Sequence, residues 1–125
     1  MTLDLDDAVH RYVDAWSAED SARQAILAEV WADNGVYCDP IGRAEGRDAL
    51  SDHIGASQTL FPGHRIEASS EVDEHDGHFR FAWIMLDSND AVVLEGVDYG
   101  VLDNAGRIAL IVGFFGPLAP RDRAS

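Results

Sequence analysis

Two acidic residues interrupt apolar sequence. Asp39 ends the run "VYCD" and is followed by proline, while Asp98 lies inside the strand-like run "LEGVDYGVL". A carboxylate aimed into an apolar pocket can move protons near neutral pH, because desolvation lifts its pKa. Each residue also has a plainer reading. Aspartate favours turns, and the residue before a proline is pushed to extended backbone, so Asp39 suits a simple turn. Asp98 must face either solvent or a cavity. Alternation puts Gly96, Asp98, Gly100 and Leu102 on one face of its strand and Val97, Tyr99 and Val101 on the other. If the valine face is the core, Asp98 is a surface residue. If the sheet curls over the glycine face, Asp98 lines a pocket.

Other chemistries have less support. The chain has no lysine, which excludes a lysine Schiff base. Cys38 is the single cysteine, so no intrachain disulfide forms. As a strand neighbour of Asp39 it points to the opposite face. His75 and His78 flank "DG", but a tight exposed turn with no further fixed ligand is a poor metal site, and neither a metal nor a cofactor is expected. The net charge of −14, from 23 acidic and 9 basic residues, repels phosphate backbones. The arginines are scattered rather than clustered, so no nucleic-acid partner is expected. The longest apolar run, "IALIVGFFGPL", is broken by glycine and proline and falls well short of the roughly 20 residues that a membrane helix needs. The acidic stretch "MTLDLDDAVH" lacks the basic and apolar regions of a signal peptide, so the expected location is cytoplasmic.

The length of 125 residues, with 46% apolar and 26% charged residues, suits a single domain with one core. Leu5, Val9, Tyr12, Val13 and Trp16 recur at helical spacing and predict a first helix facing inward. Tyr12 on that stripe reads equally well as a core tyrosine. A second helix is expected from an N-cap at Ser21 through Trp31, ending at "ADNG" with Gly35 in a left-handed stop. Val36 to Asp39 then reads as a short strand, and "EGRDALSDHIGASQTLF" as a third helix with Leu50, Ile54 and Ser57 inward. From His64 the period becomes two. Four runs, "HRIEASSEVDE", "HFRFAWIMLD", "AVVLEGVDYGVLD" and "RIALIVGFFG", are separated by turn signals. Helices followed by an antiparallel meander give an α+β fold, and a strongly curved sheet around helices makes a cone with an open mouth. Gly96, Gly100 and Gly113 would mark bends or close backbone approach. Residues 1–117 are expected to form the domain and 118–125 a tail.

The quoted runs, with "RYVDAWSAED", "WADNGVYCDPIG", "EGRDAL", "VDYGVLDNAGRI" and "FFG", resemble the nuclear transport factor two-like superfamily over nearly the whole chain. Within it they look most like the ketosteroid isomerase and SnoaL-like polyketide cyclase branches. The resemblance implies a cystatin-like cone: three N-terminal helices packed in a strongly curved, mainly antiparallel sheet that encloses a pocket. It also implies a cofactor-independent isomerase or cyclase that removes a proton next to a ketone on a small apolar substrate. By match to the isomerases, Asp39 of the "DP" pair would be the base. Tyr12 of "RYV" and a protonated Asp98 would donate hydrogen bonds to the enolate oxygen. The SnoaL-like cyclases instead use an aspartate on a comparable strand as acid and base, a role that also fits Asp98. The isomerases carry a supporting tyrosine in the third helix, where this chain has His53 and Ile54.

The aromatic side chains are core material first, and Trp16, Trp31, Phe61, Trp83 and Phe115, with His53, are expected to line the pocket. A non-catalytic ligand-binding role for the same pocket stands as the alternative. A homodimer built on the outer sheet face is expected, as in many members of that superfamily.

Overall fold

The structure is a computed structural model and describes residues 4–122. These residues form α1 (Leu5–Ala15), α2 (Asp20–Val30), β1 (Trp31–Asp39), β2 (Gly42–Glu45), α3 (Arg47–Leu60), β3 (Arg65–Ala68), β4 (Asp73–His75), β5 (His78–Leu86), β6 (Val92–Leu102) and β7 (Ile108–Phe115). The strand order is β2-β1-β7-β6-β5-β3, and β4 pairs with β5 as well. Every pairing is antiparallel except β1 with β7, so the sheet is mixed. Three helices pack against this curled sheet in an α+β cone. Among the described residues, no helix is long and apolar enough to cross a membrane.

The first helix forms as its stripe predicts, burying Ala8, Val9, Tyr12 and Val13. Asp6 and Asp7 sit in its first turn, where the helix dipole favours negative charge. The second helix is capped differently from expectation. Glu19 is the N-cap and accepts a hydrogen bond from the Ala22 N–H, while Ser21 only donates to the Glu19 carboxylate. Arg23 is buried between α2 and α3. It donates to Ser51 Oγ, Gln58 Oε1, the Ala18 carbonyl and the Asp20 carboxylate, so its charge is satisfied in place. The third helix begins after Gly46, whose φ of 86° is a conformation that favours glycine.

The largest departure from the sequence reading is at Trp31. It does not end α2; it opens β1, and "ADNG" lies inside the strand. The tertiary partner explains this. Trp31 pairs with Ile108 of β7, and an irregularity in that ladder absorbs the residues up to Val36. Arg47 Nε also donates to the Trp31 carbonyl, and its guanidinium pairs with Asp33. Gly35 makes no left-handed stop. It leaves room for the Trp31 indole, which a Cβ there would meet at 2.5 Å. The run "HRIEASSEVDE" also splits into β3 and β4. Between them Ser70 Oγ accepts from the Ala82 N–H, so a side chain replaces a ladder carbonyl.

Alternation on the inner face sets the site. On β5 the alternate side chains Phe79, Phe81, Trp83 and Met85 are buried, with Leu86 at the strand end, and on β6 the buried residues are Gly96, Asp98 and Gly100. Val97 and Tyr99 face outward, so the glycine face is the interior. The three inner glycines mark close approach. A Cβ at Gly96 would collide with the Trp83 ring, one at Gly100 with the Phe79 ring, and one at Gly113 with Asp98 Oδ1 at 2.9 Å. Each glycine therefore lets a side chain from the next strand lie across its own strand.

Candidate functional site

A cavity of about 230 Å³ opens between α1, the end of α3 and the concave sheet face. Of the residues expected at the site, Tyr12, Trp16, Phe61, Trp83, Asp98 and Phe115 line it. Asp39, Trp31 and His53 do not. Trp31 is fully buried and stacks on Tyr12 at 5.8 Å, supporting that ring instead of facing a ligand. His53 packs its ring against Tyr37 and Trp16 and directs Nε2 to Asp39, 3.2 Å away. Because a carboxylate only accepts, that nitrogen carries the proton.

Asp39 stands directly behind the cavity wall. Its Oδ1 accepts from the Ile41 and Gly42 N–H groups at 2.8 and 2.9 Å, and its Oδ2 accepts from Tyr37 Oη at 2.6 Å as well as from His53. Burial alone would raise its pKa. The hydrogen bonds from His53, Tyr37 and the Ile41 N–H outweigh that and hold it below the ordinary aspartate value. The turn reading of Asp39 is thus correct locally, and the same carboxylate also fixes two side chains of the wall region.

Asp98 has the opposite surroundings. It is 6% exposed and accepts a single hydrogen bond, from Trp83 Nε1 to Oδ1 at 3.0 Å. Its Oδ2 has no hydrogen-bond partner among the described residues. Burial lifts its pKa to about 7, with the Trp83 bond pulling down and the negative charge of Asp39 pushing up. Tyr12 is equally buried, and its hydroxyl has no hydrogen-bond partner among the described residues. Burial and then the nearby Asp98 charge raise its pKa well above that of a free tyrosine, with the nearby Trp16 indole pulling the other way. Tyr12 is therefore a neutral donor with nothing to donate to. A buried unsatisfied hydroxyl carries a cost of roughly 1–3 kcal/mol, which a ligand oxygen would relieve.

Among the lining residues that the sequence reading did not name, Tyr37 is the one hydrogen-bonded to Asp39. It lines the cavity, donates to Asp39, and is held neutral chiefly by burial and next by Tyr12. The signal was present, since a strand places residues two apart on one face and Tyr37 precedes Asp39 by two. Around Gly113 the groups converge: the position of its absent Cβ lies 2.9 Å from Asp98 Oδ1, 3.5 Å from Asp39 Cβ and 3.8 Å from Tyr37 Oη. Among the described residues, no three His, Cys, Asp or Glu side chains come together in a metal-binding arrangement.

The arrangement is an apolar cavity lined by one carboxylic acid poised near neutrality and by a tyrosine whose buried hydroxyl has no partner among the described residues. Residues 9–111 match the family model of the SnoaL-like domain. The chain belongs to the SnoaL-like domain family. Its structure is similar to that of a candidate isomerase of the SnoaL-like family from Agrobacterium tumefaciens, with 29% identity, 89% of this chain and 96% of that chain covered, and a TM-score of 0.85. A candidate polyketide cyclase from Sinorhizobium meliloti shares 19% identity over 86% of this chain and 93% of its own, with a TM-score of 0.68. A protein from Catenulispora acidiphila with a ketosteroid isomerase-like fold, crystallised with trimethylamine, shares 11% identity over 93% of this chain and 88% of its own, with a TM-score of 0.70. These last two share the fold. Among curated proteins none matches the sequence.

Proposed function

We propose that this SnoaL-like domain catalyses cofactor-independent proton transfer next to a ketone on a small apolar substrate, as an isomerase or cyclase. The observation that carries the reading is Asp98, a buried carboxyl at the cavity wall with a pKa of about 7 and a free Oδ2, in a site shared with the unpartnered Tyr12 hydroxyl. A base whose pKa lies near the working pH combines a populated ionised form with useful basicity. Asp98 in its ionised form takes the proton from the carbon beside the carbonyl. The electron pair left behind moves onto the carbonyl oxygen, and the enolate oxygen accepts a hydrogen bond from Tyr12. Asp98 then returns the proton to another carbon of the same molecule, which completes an isomerisation. In a cyclisation, the enolate carbon bonds to a second carbonyl carbon, and Asp98 protonates that oxygen.

In this scheme Asp39 is a positioning residue and not the base. Four donors already occupy its oxygens, and a carboxylate so stabilised is a weak proton acceptor. Its work is to orient Tyr37 and His53. The decisive assay offers a β,γ-unsaturated ketone and follows conjugation by ultraviolet absorbance. Asp98→Asn is expected to lower kcat by about 10²–10⁴-fold, the usual contribution of a general base. Asp39→Asn should be milder. Equal rates for wild type and Asp98→Asn would defeat the proposal. In that case, retained ketone binding would favour the second reading, a pocket that holds a small ligand without turning it over.

The proposal extends to assembly and location. Val97 and Phe114 are cross-strand partners on the outer sheet face, 40% and 60% exposed, with Tyr99 beside them. That apolar patch suits a second copy of the chain, giving a homodimer with the cavities facing away from the contact. A chain with the single free cysteine Cys38 suits the cytoplasm.

A further inference from the structure

The cavity is graded from one end to the other. At its closed end stand Tyr12, Tyr37, Phe81 and Asp98, exposed by 1%, 4%, 2% and 6%. At its open end, Ile66, Met85 and Leu94 form a cross-strand row over β3, β5 and β6, with Ile66 and Leu94 half-buried. Ile41 stands at the rim, 62% exposed. Trp83 and Phe115 cross edge to face at 5.9 Å and form the wall between the two ends.

Size and charge both restrict what fits. An apolar cavity of about 150 Å³ takes benzene, so 230 Å³ accommodates roughly nine or ten carbons on the same scale. That is one ring with substituents or two fused rings, and the further rings of a four-ring skeleton would have to lie outside the rim. No side chain lining the cavity is cationic, and Asp98 is there with the ionised Asp39 behind the wall. A carboxylate or phosphate would be desolvated beside negative charge with no counter-ion. An ammonium ion would leave the Tyr12 hydroxyl without an acceptor, whereas a ketone oxygen supplies one.

We infer that the substrate is an uncharged ketone of one or two rings, seated carbonyl first at the Tyr12–Asp98 end with its ring carbons along Trp83, Phe115 and the Ile66–Met85–Leu94 row. This rests on the proton-transfer reading of the same site and names its substrate class.

Trp16 and Trp83 line the cavity, so tryptophan fluorescence reports binding directly. The probes are cyclohexanone, β-tetralone, a β-tetralone bearing a carboxylate on its distal ring, and the steroid androstenedione. β-Tetralone is expected to bind most tightly, with the carboxylate and the steroid each weaker by about ten-fold or more. Leu94→Trp narrows the half-buried rim; it should weaken β-tetralone about ten-fold and leave cyclohexanone within about three-fold. The inference is overturned if the steroid or the carboxylate binds as tightly as β-tetralone, if no ketone binds, or if Leu94→Trp affects both small ketones equally.

Proton exchange at the carbon beside the carbonyl, followed by nuclear magnetic resonance in deuterated water, separates this inference from the catalytic one. Size-graded binding without Asp98-dependent exchange retains the ligand class and rejects catalysis. Exchange that is fastest with the four-ring ketone retains catalysis and rejects the ligand class.

Discussion

Burial pushes both carboxyls up; on Asp39 the hydrogen bonds of four groups outweigh it, and on Asp98 a single hydrogen bond does not. For Asp98 the linkage to folding has a definite sign. Its folded pKa of about 7 lies above the ordinary 3.8, so between those values the folded state holds a proton that the unfolded chain has lost. The stability this provides is complete below the ordinary value, declines as pH rises, and is gone above about pH 7. Urea unfolding across that range should show Asp98→Asn flatter than wild type, and more stable than it by about 1–4 kcal/mol on the alkaline side. The rate should rise with pH as Asp98 ionises and level off above neutrality. Tyr12→Phe tests the donor. A hydroxyl with no protein partner contributes nothing to folding through hydrogen bonding, so the melting temperature should hold or rise slightly. The rate should fall about 10²–10³-fold, the usual loss for one oxyanion donor. A stability loss with an unchanged rate would make Tyr12 a core residue only.

At the scale of elements, the inner glycines allow three strands to share one layer. Trp83 crosses β6 at Gly96 and reaches Asp98, while Asp98 in turn lies against β7 at Gly113. Gly113→Ala puts a methyl group 2.9 Å from Asp98 Oδ1, a separation closer than van der Waals contact. The carboxylate must move, and about ten-fold or more of the rate should go with it, since small misplacements of reacting groups cost that much. Gly100→Ala is the control, because the ring it displaces is Phe79, which is buried in the core and does not line the cavity. It should cost about 1–3 kcal/mol of stability by overpacking, read by chemical unfolding.

At the scale of the whole molecule, the concave sheet face holds the site and the convex face carries the exposed Val97, Tyr99 and Phe114. Phe114→Glu places a charge at the centre of the proposed contact without touching the cavity lining. Light scattering in dilute solution should then show the mass fall from two chains to one. A wild-type monomer would remove the dimer proposal.

Periodicity in the sequence determined the three helices, the long strands of the meander and the α+β class, because those signals depend on spacing within one segment. The motifs carried the family. Local sequence left the inward face of β6 open, since Asp98 and Val97 alternate whichever way the sheet curls. The tertiary fold decided it by closing the glycine face over Trp83 and Phe79. It also drew Trp31 out of the second helix, because pairing with β7 outweighed the turn preference of Asp33, Asn34 and Gly35. Burial and donors together separated the two aspartates: donors from β1, from the turn after it and from α3 gather on Asp39 and outweigh its burial, while Asp98 is buried with only Trp83 reaching it. A residue type states which proton it can carry, and its surroundings set the pH at which it does so.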